Sequence, residues 1–190
     1  MKKFNNIPNP VYTAVEDGVK RYHSRSLAIC ALLVLSHGNE EYSVLVHKRG
    51  QGCPDEKGLW SFNCGYLDWN ETLHDCLKRE LWEEIGLDLD SLETCNIVQD
   101  SINDTIDGEN KVKQNVTIRY QVVLDYNEIK GLLEKGTING DSASRGGEPN
   151  EIEEIKIIPL SERQNPEEWA FNHGHIFNSI HEHYYGKNNL

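Results

Sequence analysis

The chain has 190 residues, 37% of them hydrophobic, enough for one globular domain with an enclosed core; 19 Lys and Arg against 31 Asp and Glu give a formal net charge of -12. That balance excludes a broad electropositive surface able to track a phosphate polymer, so an anionic ligand would need a local cation to meet it. Five cysteines, Cys30, Cys53, Cys64, Cys76 and Cys95, form no C-x-x-C pair, which points to free thiols in a reducing cytoplasm rather than to a disulfide framework or a zinc knuckle.

The basic start MKKFNNIPNP runs into no apolar core, so it does not read as a secretory leader. Residues 1–25, with Phe4, Pro8, Pro10, Tyr12 and Tyr22, read as an irregular or strand-bearing lead-in to a single domain spanning residues 1–190. The longest apolar run, residues 27–35, is nine residues. It is too short to cross a bilayer and reads as a buried central strand, with residues 42–48 as its hairpin partner after the turn His37-Gly38-Asn39-Glu40. Residues 50–58 form a loop that leads to a short strand at 59–62. Residues 72–85 have a helical period free of Gly and Pro, and Gly86 supplies a left-handed cap. Residues 112–124, rich in β-branched side chains, read as a long strand hairpinned with residues 94–102 across a polar turn at 104–110. Residues 135–150, with four Gly and Pro149, read as a mobile loop that orders over bound ligand. A strand at 154–160 and a terminal helix over about 166–185, broken near Gly174, complete the chain. Short connections between the early strands favour an α/β sandwich with a mixed sheet over a doubly wound parallel one.

The chemistry concentrates on the helix. At 100° per residue, Glu80, Glu83 and Glu84 fall within an arc of about 100°, beside a stripe of Leu73, Leu77, Leu81 and Ile85. The stripe packs inward and the acids line its edge. Three carboxylates at this spacing repel one another, and a cation is the natural reason to keep them together. Oxygen ligands suit magnesium or manganese rather than zinc. A bare E-x-x-E-E run is more often a solvated helix face. Here Gly65, Glu71, Arg79 and Gly86 at fixed offsets reverse that judgement, and Arg79 lies where it can orient Glu71 by a bidentate pair.

Gly65, Glu71, Arg79, Glu80, Leu81, Glu83, Glu84, Gly86 and Leu87 match G-x5-E-x7-R-E-apolar-x-E-E-x-G-apolar at every fixed position. A random chain would do so on the order of once in ten million tries. The segment 65–87 resembles the signature box of Nudix hydrolases, and a weaker likeness, through His47-Lys48-Arg49, Gly58-Leu59-Trp60 and the acidic run before Ile155, spans roughly residues 26–160. The resemblance implies a Nudix-type α/β/α sandwich with a mixed sheet. It implies metal binding by Glu80, Glu84 and Glu83 with the backbone carbonyl of Cys64, which stands where many members have a second glycine. It also implies a further glutamate in the later acidic segment, as general base or extra ligand. Glu148, Glu151, Glu153 and Glu154 are the candidates, with Glu151 preferred because it ends the loop. Glu83, Arg79 and Glu151 are thus expected to be catalytic, Gly65, Glu71 and Gly86 structural, and Arg49 and Lys57, with Lys48, to meet substrate phosphates. Trp60 reads as core packing, and the histidines at 173, 175, 181 and 183 as structural or solvated.

The activity implied is magnesium- or manganese-dependent cleavage of a pyrophosphate linkage in a nucleoside diphosphate derivative, such as ADP-ribose, an ADP-sugar or a nucleoside triphosphate. Two alternatives stay open: isomerisation, as in isopentenyl diphosphate isomerases of this fold, and nucleotide sensing without turnover. The expected partner is a small nucleotide-like diphosphate, with neither a nucleic-acid polymer nor a membrane. A homodimer is left open.

Overall fold

The computed structural model describes residues 3–4, 12–16, 19–23, 27–106 and 114–186. The lead-in bears two strands, β1 (Tyr12–Glu16) and β2 (Val19–His23), paired antiparallel as a sheet of their own. Pro8 and Pro10 lie outside the described residues.

β3 (Leu27–Ser36) organises the rest. Alternate side chains point to opposite faces of a sheet, and here both faces are covered. Ile29, Ala31, Leu33 and Leu35 enter one apolar cluster, while Cys30, Leu32 and Val34 enter the other. Burial on both sides is why the strand reads as an unbroken apolar run. β4 (Tyr42–Arg49) returns antiparallel along its C-terminal half. The single strand expected at 59–62 is two shorter ones, β5 (Trp60–Ser61) on β4 and β6 (Asn63–Tyr66) on the N-terminal half of β3. Cys64 and Gly65 therefore lie inside a strand rather than at its exit.

β7 (Cys95–Ile106) and β8 (Gln114–Asp125) form the expected hairpin, and β8 runs parallel to β3 along the other edge. Residues 107–110 of the expected turn, and 112–113 of the expected strand, lie outside the described residues. β9 (Ile152–Pro159) starts ahead of its expected position at 154 and pairs with β4. The seven strands make one mixed sheet, ordered β5-β4-β3-β8-β7 with β6 on β3 and β9 on β4.

Helix α1 (Leu73–Ile85) buries Leu77, Leu81 and Ile85 with Ile29 and Leu33 on one face, and Leu73 packs against the same cluster. A second helix joins it there, α2 (Tyr126–Glu134), which the sequence reading did not anticipate. Asp125 caps it by accepting a hydrogen bond from the Glu128 amide at 2.9 Å. On the opposite face α3 (His173–Tyr185) packs Ile176, Phe177 and Ile180 with Val44 and Phe62. The result is an α/β/α sandwich. The terminal helix is shorter than expected, because Pro166–Glu168 is a separate 3-10 turn. Gly174 marks no break; it sits in the first turn of α3, where a Cβ would lie 2.6 Å from Pro166 Cα. No helix among the described residues is long and apolar enough to cross a membrane.

Both ends of α1 are closed locally: the Gly86 cap was expected, whereas Thr72, expected inside the helix, is its N-cap. Thr72 Oγ1 accepts from the Asp75 amide at 3.1 Å and Asp75 accepts from the Thr72 amide at 3.1 Å, a reciprocal box that satisfies two otherwise orphan donors. Gly86 ends the helix at φ 75, donating its N–H to Trp82 O at 3.0 Å. A Cβ there would also stand 2.8 Å from Thr137 O. Gly86→Ala should therefore lower stability by about 1–2 kcal/mol, read as a lower urea midpoint with an unchanged slope. An unaltered midpoint would show that the cap does not constrain the fold.

Candidate active site

Arg79, 5% exposed at its side chain, is the hub of the acidic face. Its Nε and Nη2 donate to Glu71 Oε1 and Oε2 at 2.7 and 3.1 Å, the bidentate pair expected. Nη1 reaches Glu80 Oε1 at 2.7 Å and Glu83 Oε2 at 3.0 Å, and Nη2 also donates to Tyr66 O at 2.9 Å. Burial opposes the guanidinium charge, but the hydrogen bond to Glu71 and the charge of Glu80 more than offset it and raise its pKa. Glu71 in turn accepts the Asp68 amide at 3.0 Å, so this carboxylate is spent on holding the strand-to-helix connection.

Gly65 shows why the box begins with a residue lacking a side chain. A Cβ at that position would stand 1.8 Å from Glu80 Cδ and Oε1. The Glu80 carboxylate thus lies directly on the β6 backbone, next to the peptide that carries the Cys64 carbonyl. Burial pushes Glu80 up from 4.5 to about 7; Arg79 pulls it down, and Glu83 and Glu151 push it further up.

Glu84 is buried and its Oε2 accepts from Asn63 Nδ2 at 2.6 Å. The same amide nitrogen lies 3.2 Å from His47 Nδ1. Burial, then the charge of Arg49, depresses His47 to about 3, so its ring is neutral and can accept. Asn63 therefore gives one hydrogen to each neighbour, which fixes its orientation and that of Glu84. Burial first, then the charges of Glu151 and Glu80, push the Glu84 carboxyl well above its ordinary value.

Glu151 comes from the far side of the chain. Gly50 N donates to Glu151 O at 2.7 Å and Gly52 N to Asn150 O at 2.8 Å. A Cβ on Gly50 or Gly52 would fall 2.2 Å from Asn150 O or 2.0 Å from Pro149 O, so the two backbones meet at a distance open only to glycine. Burial raises the Glu151 carboxyl too. Glu84, buried, with Glu80 and Glu151, half-buried, are thus a mutually repelling set, with Arg79 bonded only to Glu80. That donor set fits a hard divalent cation held by oxygen.

The other expected residues sit as follows. Arg49 donates to Asp55 Oδ1 at 2.8 Å and to Asp55 O, and its guanidinium stacks 5.0 Å from the Phe171 ring centroid. Lys57 stays on the loop surface, donating to Gln51 O at 2.8 Å, and Lys48 pairs with Glu153 at 2.9 Å. Glu148 and Glu154 are exposed. Trp60 packs against the second apolar cluster, with Lys156 over its ring. The loop over 135–150 contains a 3-10 turn, Ala143–Arg145, and Arg145 caps α1 by donating to Glu84 O at 2.9 Å and Glu83 O at 3.4 Å. Asn63, His47 and Arg145 were missed in the sequence. A faint signal existed only for Asn63, which shares the strand face of Gly65 at i, i+2.

The NUDIX domain model matches residues 25–179, and the chain belongs to the Nudix family. Comparison with curated proteins gave no match. Among solved structures, the NUDIX domain of Shewanella oneidensis NrtR complexed with ADP ribose superposes at TM-score 0.53 and 17% identity, over 85% of this chain and 89% of that one. Shewanella oneidensis NrtR complexed with a 27mer DNA gives 0.52 and 21%, over 83% and 61%. A C. elegans Ap4A hydrolase binary complex gives 0.57 and 13%, over 85% and 98%. At these identities the likeness is one of fold.

The carboxylate set has a consequence for metal-free protein. A carboxyl whose folded pKa is raised binds its proton more tightly when folded, so its contribution to stability is full below the unfolded value of 4.5 and is lost as pH rises through about 7. In chelator, the melting temperature should fall by several degrees between about pH 5 and about pH 8, and a divalent cation should restore it at the upper end. A flat profile in chelator would mean that burial and mutual repulsion do not raise these carboxyls in the folded protein.

Proposed function

We propose that this protein is a magnesium- or manganese-dependent pyrophosphohydrolase acting on a nucleoside diphosphate derivative, with residues 1–190 forming one Nudix domain. The observation that carries the reading is the set of Glu80, Glu84 and Glu151, the second buried and the others half-buried, beside the strand that carries Cys64 and Gly65, with raised pKa values and too little cationic charge of its own. Glu80 and Glu84 hold the ion, and Glu83 and the Cys64 carbonyl add to its shell. When bound, the ion neutralises phosphate oxygens and lowers the barrier to displacement at phosphorus.

The chain's own residues do the rest. Arg79 fixes Glu80 and Glu83, and Asn63 fixes Glu84, so the ligands are pre-set rather than gathered on binding. Glu151, its carboxyl raised by burial, accepts the proton of the attacking water. Arg49 and Lys57, at the two ends of the loop that places Glu151, face the substrate phosphates. ADP-ribose, ADP-sugars and dinucleoside polyphosphates are the first substrates to try, since similar folds hold ADP ribose in Shewanella oneidensis NrtR and belong to an Ap4A hydrolase in C. elegans. A net charge of -12 argues against a polymeric nucleic acid as partner, and five free cysteines suit the cytoplasm.

With a substrate from that panel, Glu84→Gln should cut magnesium-dependent turnover by about two to four orders of magnitude. Its amide oxygen can still accept from Asn63, so the melting temperature of metal-free protein should hold or rise. Glu151→Gln should cost about a hundredfold. Near-normal turnover in Glu84→Gln would sink the ligand assignment, and a panel without any hydrolysis would favour the sensing reading.

A further inference from the structure

On the face of the sheet away from the glutamates, three reactive groups meet. Cys30 of β3 and Cys64 of β6 are direct partners in the antiparallel register, and His173 of α3 closes over them. The two Sγ atoms and a ring nitrogen of His173 all lie within 4.8 Å of one another. His173 Nε2 is 3.7 Å from Cys64 Sγ and 4.0 Å from Cys30 Sγ.

The other ring nitrogen settles which atom carries the proton. The Phe62 amide donates to His173 Nδ1 at 3.2 Å, and a backbone N–H has no other role to play. Nδ1 is thus the acceptor, the ring proton sits on Nε2, and that N–H points at the two sulfurs. A metal held at Nε2 would need the lone pair that this tautomer does not offer, and would leave the buried Phe62 amide without its acceptor. Ser61 Oγ, 3.2 Å from Nδ1, donates its own hydrogen to Phe62 O and adds nothing against this.

Geometry allows a bond between the sulfurs. Opposed residues of antiparallel strands have Cα atoms about 4.5–5.5 Å apart, inside the range of about 4.4–6.8 Å that a disulfide spans. Cys64 is partly open, whereas Cys30 is 1% exposed, so an oxidant reaches Cys64 first; burial and the neighbouring Cys30 push the Cys64 thiol up, which makes that first step slow.

We propose that Cys30 and Cys64 are a redox pair that a hydroperoxide converts to a cross-strand disulfide, with His173 positioning the two sulfurs. Cys64 meets the oxidant first. Its sulfur displaces water from hydrogen peroxide and becomes a sulfenic acid; the Cys30 thiol then attacks that sulfur, expelling a second water and forming the S–S bond. Two thiols are oxidised, one peroxide is reduced, and two waters leave. A dithiol reductant reverses the step. Only the backbone carbonyl of Cys64 belongs to the proposed hydrolytic site; its sulfur and Cys30 lie in the apolar cluster on the other face. Cys64 precedes Gly65 in β6, so the bond would lock to β3 the strand on which Glu80 rests.

The test uses the full chain, reduced, freed of reductant and treated with a few-fold excess of hydrogen peroxide before alkylation. Lys48, Arg49 and Lys57 lie between the two cysteines, so trypsin separates them; fragmentation then tells Cys64 from Cys76, which shares its peptide. We expect a Cys30–Cys64 linked pair lacking two hydrogens, near-stoichiometric loss of those two thiols together, and full recovery with dithiothreitol. In Cys30→Ser, Cys64 should pass on to the sulfinic acid instead. Cys64 reaching sulfinic acid in the unaltered chain while Cys30 still alkylates would overturn the proposal, as would a bond to Cys53, Cys76 or Cys95. So would one zinc ion per chain that shields both thiols of the reduced protein from alkylation. All these readings come from mass and thiol content, so they hold whether or not the hydrolytic assignment does.

Discussion

Arg79 is a buried cation bonded to three carboxylates and a backbone carbonyl, and most of the acidic face depends on it. A guanidinium has five N–H donors in a rigid plane, and here the bonds to Glu71, Glu80, Glu83 and Tyr66 use them in two directions at once. Towards the loop it fastens Glu71, which holds the Asp68 amide; towards the helix it fastens Glu80 and Glu83. The turn from β6 into α1 and the orientation of two acids are therefore one interaction. Lysine could not replace it, having neither the fork nor the fixed plane. The arrangement also leaves Glu84 outside the guanidinium's reach, its carboxylate held instead by a neutral amide. That division gives the cluster a neutralised edge and a repulsive centre.

The box helix was legible in the sequence because its information is local. Gly86, the apolar stripe and the three acids are all fixed by offsets within one helix, and the structure places them accordingly, one residue after the expected start because Thr72 serves as the N-cap. The sandwich was legible for a similar reason: unbroken apolar residues in β3 already implied cover on both sides. What stayed hidden depends on contacts between distant segments. Asn63 holds Glu84 from 21 residues away and Arg145 caps it from 61, and neither position has any local pattern to announce it. Helix α2 escaped because nine residues with a central Gly131 carry too little periodicity. The terminal histidines read as structural or solvated, and which of them is fully buried, His173, is decided by the packing of α3 on Phe62 and Trp169 rather than by its neighbours in the chain.

Family membership sets the fold and a general chemistry, and the loops decide what is recognised. In this chain the loop over residues 50–58 and the segment ending in Glu151 meet at the same end of the β4–β9 pair, where Arg49 lies opposite Ile152. Substrate choice is thus written where the sequence has least regularity, while the apparatus for holding charge is written in the helix.

The glycine contact between Gly50, Gly52 and residues 149–151 has a corollary for anyone recombining this fold. Glu151 takes its height from a neighbouring loop, by two amide hydrogen bonds, before its own strand β9 begins at Ile152. The two segments are a single inherited part, though 98 residues of sequence separate Cys53 from the Glu151 carbonyl it also touches. A chimera whose imported 50–58 loop lacks these two glycines would carry side chains into a gap that admits none. Grafts into this scaffold must move both pieces or neither.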